Sequence, residues 1–230
     1  MLDDAAYEMG FVPAMVDAAE RIIGDYPFER YDLIFPPGFG GGMENPNLNF
    51  IGPDAITGNR PATVPLSGLI AHELAHSWFG DMITCATWSD TWLNEGFATY
   101  YEKRILEEMQ GYERAELGFH LDLGAYNSIL GTGTPEASLI LHRTFTETQG
   151  PGNAFNTIAY QKGGLFLKML EDRLGRSVFD AFIYRYVARN AYDWVDDQRF
   201  LADLQATLDS RGVSAAPLLL QTWQIGRAHV

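Results

Sequence analysis

The sequence predicts a mostly helical α+β protein, with a small mixed α/β lobe over residues 1–125 and a helical lobe over residues 126–224. Apolar residues recur at three- and four-residue spacing in seven segments, which is the pattern of amphipathic helices. Two short β-type runs occur only in the first quarter of the chain, between stretches rich in glycine and proline. We found no internal repeat.

In chain order, the patterns predict helices over residues 3–24, 68–83, 92–110, 112–130, 157–174, 176–191 and 196–210, with strands at 31–35 and 48–51. The first helix ends at Gly24, and Pro36 and Pro37 end the first strand. Ser67 is the expected N-cap of the second helix. Residues 225–230, IGRAHV, match a translated read-through of a common sequencing adapter, and we expect them to be a non-native tail.

Composition excludes several classes of protein. The chain has 230 residues, 47% of them hydrophobic, which is enough for a sizeable core and excludes a disordered chain. A net charge of −14 argues against nucleic-acid binding. No apolar stretch is long enough for a membrane span. The single cysteine favours the cytoplasm, with periplasmic and secreted locations left open because we expect residues to precede Met1.

The segment His72-Glu73-Leu74-Ala75-His76 contains the candidate metal ligands and the candidate catalytic glutamate. Two histidines four residues apart share one face of a helix, so both imidazoles can reach one metal ion, and zinc suits them. Glu73 flanks that face and can take a proton from a water that the metal activates. The alternative is a helix that carries two histidines by chance.

A catalytic zinc normally has three protein ligands, and Glu95 is the expected third. Eighteen residues separate Glu95 from His76, and a helix, a turn and a returning antiparallel helix fit that interval. The alternative for Glu95 taken alone is an ordinary surface acid on a helix.

Three motifs together resemble the M1 family of gluzincin aminopeptidases, which includes aminopeptidase N and leukotriene A-4 hydrolase. They are GGGMENP (40–46), HELAHSWFGD (72–81) and WLNEGFATYYE (92–102). The resemblance covers about residues 5–210 and is strongest to the leukotriene-hydrolase-like branch. It implies a thermolysin-like catalytic domain with one Zn²⁺ between the lobes, held by His72, His76 and Glu95, with Glu73 as general base.

The resemblance also implies a substrate site. Glu44 matches the acid that binds the free α-amino group of a peptide, and the peptide lies along the backbone of three residues before it, Gly41, Gly42 and Met43. A simple glycine turn is the alternative for this stretch. Tyr160 matches a tyrosine that supports the developing oxyanion, and a core or boundary aromatic is the alternative. Glu102 resembles an acid beside a ligand imidazole, with a surface salt bridge as the alternative.

Two departures from the family pattern limit these implications. Leukotriene hydrolases have an acid and a second tyrosine where this chain has Gly152 and Phe155, which argues against lipid epoxide hydrolysis. The chain is also too short for the family architecture, so we expect flanking domains of a full-length protein to be missing. The predicted function is hydrolysis of the N-terminal peptide bond of peptides with a free N-terminus. A gluzincin endopeptidase and a non-catalytic scaffold relative are the alternatives.

Overall fold

The computed structural model describes residues 2–56, 64–135, 138–145 and 150–215. The helices are α1 (Leu2–Glu8), α2 (Val12–Ile23), α3 (Val64–His76), α4 (Trp92–Gln110), α5 (Tyr112–Leu130), α6 (Gly163–Leu174), α7 (Arg176–Asn190) and α8 (Asp197–Arg211). The strands are β1 (Asp32–Ile34), β2 (Gly42–Met43), β3 (Leu48–Ile51), β4 (Ile83–Cys85) and β5 (Asp193–Val195). The predicted tail, 225–230, lies outside the described residues.

The predicted class, mostly helical with small sheets, is confirmed. A three-stranded sheet has the order β1-β3-β2, with β1 parallel and β2 antiparallel to β3. Strands β4 and β5 form a second, parallel pair that joins the segment after α3 to the segment before α8. The division into lobes at residue 125 stays a prediction.

Helix α4 lies at the centre of the molecule, in contact with α2, α3, α5 and α6. Its buried residues are distributed around the helix, as expected for a helix that is covered on most sides. Trp92, Phe97 and Tyr101 each have 1% or less of their surface exposed, and Phe97 stacks on Phe79 at 4.5 Å between ring centroids. This packing fixes α4 against α3, the helix that carries the two histidines.

Two glycines let α4 and α6 come unusually close. A Cβ on Gly96 would lie 2.8 Å from the Cα of Gly163, and the reverse contact is equally short. Only glycine fits at these two positions, since carbon atoms in ordinary contact lie about 3.5–4.0 Å apart. Gly96 follows Glu95 directly, and Gly163 follows the π-helical turn Ile158–Lys162 that carries Tyr160. The close approach therefore brings Tyr160 beside Glu95.

Two predicted helix boundaries were wrong. The predicted helix 3–24 is two helices, because Gly10 interrupts the pattern and Pro13, in the first turn of α2, has no N–H for a continuous helix. The predicted helix 68–83 is α3, which ends at His76. The chain then turns at Gly80, whose φ is +146°, and Ser67 lies inside the helix. The apolar pattern continues past the end of the helix because Trp78 and Phe79, which lie in the turn after His76, are also buried.

Two tryptophans lie at the surface, with 51% of Trp88 and 68% of Trp194 exposed. Trp88 lies in a short 3₁₀ turn and Trp194 in strand β5 of the two-stranded pair.

Candidate active site

The last turns of α3 present two imidazoles to one point. The Nε2 atoms of His72 and His76 lie 3.2 Å apart, and the ring planes are inclined by 83°. His76 is buried and His72 is largely so. Residues four apart on a helix lie one turn above another, which is why the spacing in HELAH brings both rings together.

Helix α4 supplies a third donor from its first turn. Glu95 Oε2 lies 3.4 Å from His72 Nε2 and 3.3 Å from His76 Nε2. The Glu95 side chain is buried, and among the described residues its Oε2 has no hydrogen-bond partner. A buried carboxylate oxygen that makes no hydrogen bond is costly, and this one faces two imidazole nitrogens, so it has the character of a metal ligand.

The three donors fit a zinc ion. Tetrahedral zinc with bonds of about 2.0–2.1 Å places its ligands about 3.3–3.4 Å apart. The measured separations of 3.2–3.4 Å match that spacing. Imidazole nitrogens and a carboxylate oxygen are ligands that zinc prefers, and three of them leave a fourth corner for water or substrate.

The imidazole of His76 is held from behind. Its Nδ1–H donates to the carbonyl oxygen of Phe79 at 2.9 Å, which directs Nε2 towards the common point. A Cβ on Gly80 would lie 2.9 Å from the same Nδ1, and the φ of +146° there is rarely adopted by other residues. Behind His72, the Nδ1 atom lies 3.6 Å from Glu102 Oε2, as the resemblance implied.

Glu73 lies against the backbone of β2. A Cβ on Gly42 would overlap the Glu73 carboxylate and would lie 2.8 Å from its Cγ. Burial raises the pKa of Glu73, the two histidines lower it, and Glu44 and Glu95 raise it further, with a net increase. A carboxylate with a raised pKa is a stronger proton acceptor than an exposed one.

Strand β2 and the residue after it border the same point. Glu44, Glu73 and His76 each offer one ligand atom within 4.8 Å of the others. Gly42 and Met43 pair with Ile51 and Phe50 of β3, and the carbonyl of Gly41 accepts a 2.7 Å hydrogen bond from Gly52. The short strand 42–43 is therefore fixed on one side by β3, while its other edge has no strand partner among the described residues.

Tyr160 completes the group. Its ring stacks on His72 with centroids 5.8 Å apart and planes inclined by 12°. Burial, followed by the charge and hydrogen bond of Glu95, raises the pKa of Tyr160 far above its ordinary value. The phenol therefore keeps its proton and acts as a donor. A π-helical segment is rare and often marks a functional site.

The donors are strongly coupled by charge. Burial lowers the pKa of His76, but Glu95 outweighs it and raises the value to about 10. Burial raises the pKa of Glu95, but the two histidines outweigh it and lower the value to about 2. Glu95 is therefore ionised at neutral pH, while a metal that binds His76 must displace a proton.

A cavity of about 630 Å³ opens beside Glu44. Its lining mixes apolar and small polar side chains, with Met43, Cys85, Trp88, Thr91, Asn94 and Phe155 among them. A space of this size and polarity accommodates a side chain or a small ligand.

The structure thus brings together every residue that the sequence predicts for the site, from four separate parts of the chain. Sequence reasoning missed the groups that lie behind them. Lys103 and Asp122 form an ion pair beside Glu102. No spacing rule could have found this pair, since the partners lie 19 residues apart on two helices.

Two helices that bring two histidines and a glutamate to one point, with a second glutamate directly after the first histidine, are typical of zinc metallopeptidases of the gluzincin class. The family model described as the peptidase family M1 domain matches residues 7–223. The chain belongs to peptidase family M1.

Its relatives are aminopeptidases and leukotriene A-4 hydrolases. Leucine aminopeptidase 2-1 of Meyerozyma guilliermondii is 36% identical over 207 residues, which are 85% of this chain and 33% of the relative. Leukotriene A-4 hydrolase of Xenopus laevis is 35% identical over 208 residues, 87% of this chain and 33% of that protein. The chain therefore spans about a third of the length of these relatives.

Solved structures agree with this assignment. The native yeast leukotriene A-4 hydrolase superposes with a TM-score of 0.90 at 31% identity, over 99% of this chain and 36% of that one. A mutant M1 zinc metallopeptidase from Deinococcus radiodurans, bound to the substrate Tyr-Ser-Ala, gives 0.72 at 28% identity, over 96% and 45%. Among the described residues, no helix has the length and apolarity to cross a membrane.

Proposed function

We propose that this chain is the catalytic domain of a zinc aminopeptidase, which removes the N-terminal residue from peptides with a free amino group. One Zn²⁺ per chain binds to His72, His76 and Glu95. The observation that carries the proposal is the convergence of these three donors, 3.2–3.4 Å apart, with Glu73 and Glu44 bordering the same histidine.

When bound, zinc supplies a Lewis acid that polarises the scissile carbonyl and lowers the pKa of water. Glu73 is the general base: its carboxylate takes the proton from the attacking water and later delivers it to the leaving amine. The position of this carboxylate against the backbone of Gly42 holds it in one orientation, and its raised pKa suits both halves of the transfer.

Glu44 determines which end of a peptide the site accepts. A carboxylate close to Glu73 and His76 pairs with the ammonium of a substrate N-terminus, through a charge-assisted hydrogen bond. The distance from that anchor to the zinc donors fixes cleavage one residue from the end. An internal peptide segment has no ammonium to offer, so the site favours an aminopeptidase over an endopeptidase.

Tyr160 is the proposed oxyanion donor. Its hydroxyl stays protonated, and its ring is fixed in place by stacking on His72. A preorganised donor of this kind stabilises the charge that develops on the carbonyl oxygen.

Peptides are favoured over lipid epoxides as substrates. The positions where the leukotriene-hydrolase pattern has an acid and a second tyrosine hold Gly152 and Phe155, and Phe155 lines the cavity beside Glu44. A phenylalanine there has no hydroxyl for proton transfer. The relatives named leucine aminopeptidase and the neighbour bound to Tyr-Ser-Ala support the same choice.

Replacement of Glu73 by Gln tests the proposal. We expect kcat on an aminoacyl anilide to fall by about 10²–10⁴-fold, because the base is lost, while zinc content stays at one per chain. Glu113→Gln, which changes an exposed acid on α5, is the matched control and should leave both unchanged. Wild-type turnover by the Glu73 variant would refute the assigned base.

Two further measurements separate the alternatives. An aminopeptidase should fail on N-acetylated peptides, whereas an endopeptidase should cleave them. A scaffold should carry no stoichiometric zinc, and metal analysis of the purified protein distinguishes that outcome directly.

A further inference from the structure

A buried lysine lies behind the zinc donors and has no part in the mechanism above. Lys103, on α4, has 6% of its surface exposed. Its aliphatic stem passes over Gly118 of α5, where a Cβ would lie 2.9 Å from Lys103 Cγ. Burying an ammonium is costly unless it is paired, so its partners matter.

Lys103 lies between two carboxylates. Its Nζ is 3.1 Å from Glu102 Oε2 and 2.9 Å from Asp122 Oδ2 of α5. Burial lowers the pKa of Lys103, but these two carboxylates outweigh it and raise the value, so the ammonium is charged. One cation thus holds two acids that would otherwise repel each other.

The oxygen that Lys103 binds is the one that faces the zinc donors. Glu102 Oε2 lies 3.6 Å from His72 Nδ1, on the side of the ring opposite the Nε2 that faces Glu95. A carboxylate behind a ligand imidazole fixes the ring and makes it a better donor. Glu102 can do so only while it points at the ring, and Lys103 is the charged group that fixes its rotamer.

We propose that Lys103 is a positioning residue for the metal centre: it holds the Glu102 carboxylate against His72 and so strengthens zinc binding. The inference rests on the proposed function, since it requires zinc at His72. A buried ion pair with a purely structural role is the alternative, and it predicts loss of stability without any change in zinc affinity.

The neighbouring residue provides a comparison on the same helix. Arg104 is also buried, and its NH1 atom lies 3.0 Å from Asp180 Oδ1 of α7. Among the described residues its carboxylate partners are Glu107, Asp180 and Glu171, and none of them is a proposed zinc ligand. Removing this pair likewise takes a buried cation and its carboxylate partner from α4 and a neighbouring helix, but it does not touch Glu102 or His72.

The test compares zinc dissociation constants, measured by competition with a chelator. The variant K103M/D122N removes the ammonium without leaving Asp122 as an unpaired buried charge. We expect its zinc affinity to fall by about 10- to 100-fold. D122N alone keeps Lys103 on Glu102, and R104M/D180N removes the comparison pair. Both controls should stay within about twofold of the wild type.

A cycle with Glu102→Gln shows whether Lys103 acts through Glu102. In that background the K103M/D122N changes should weaken zinc binding no further, because the carboxylate that Lys103 positions is already gone. An unchanged dissociation constant for K103M/D122N, or a full additional loss in the Glu102→Gln background, overturns the inference while the zinc centre stands. Failure of the proposed function looks different: the wild-type protein then binds no stoichiometric zinc.

Discussion

A single methyl group on β2 should disable the proposed general base. The Cβ of Gly42→Ala would overlap the Glu73 carboxylate and lie 2.8 Å from Glu73 Cγ, where carbon atoms need about 3.5–4.0 Å. Glu73 must therefore move by roughly 1 Å, and a misplacement of that size costs about 10²-fold in rate. Since Glu73 is not a proposed zinc donor, metal content should not change.

The assay is kcat/KM on an aminoacyl anilide, with zinc content measured on the same sample. We expect kcat/KM to fall by about 100-fold, roughly 2.7 kcal/mol of transition-state stabilisation, with the loss in kcat. Gly40→Ala is the matched control, because a Cβ there meets no atom within 4 Å and its φ is not in the left-handed region. A Gly42 variant within threefold of wild type, or a loss confined to KM, would refute the placement of Glu73 against this strand.

Three other predictions concern the same centre. Tyr160→Phe should lower kcat by about 10²–10³-fold and leave KM nearly unchanged, because it removes one oxyanion donor; an unchanged kcat would exclude that role. Gly80→Ala should weaken zinc binding by about tenfold, because its Cβ presses on the His76 ring, whereas Gly111→Ala, at φ +93° with no atom within 4 Å, should not. In the metal-free protein, the Glu73 carboxyl should titrate above the ordinary Glu pKa of 4.5, because burial and neighbouring carboxylates raise its pKa; an NMR titration that places it at or below 4.5 would contradict this.

The predicted helices from α4 onward match the structure within one or two residues, apart from α6, which begins at Gly163 because the predicted helix 157–174 includes the π-helical turn Ile158–Lys162. The boundaries before α4 do not match. Helix α4 ends and helix α5 begins beside Gly111. This glycine is a strong local signal that needs no tertiary contact. The end of α3 at His76 depends on Gly80 and on the pairing of β4 with β5, which lies more than 100 residues away. Local apolar spacing cannot carry that information.

The sequence by itself determined the pair of proposed metal ligands on α3 and predicted the two helices on which the site is built. The spacing of His72 and His76 is enough, because the helical repeat places residues four apart on one face whatever the rest of the fold does. Only the tertiary structure decided that Gly42 supports Glu73, that Gly96 and Gly163 bring Tyr160 to Glu95, and that Lys103 pairs with Asp122. These contacts join segments far apart in the chain, and they depend on how closely backbones pack, which no local periodicity encodes.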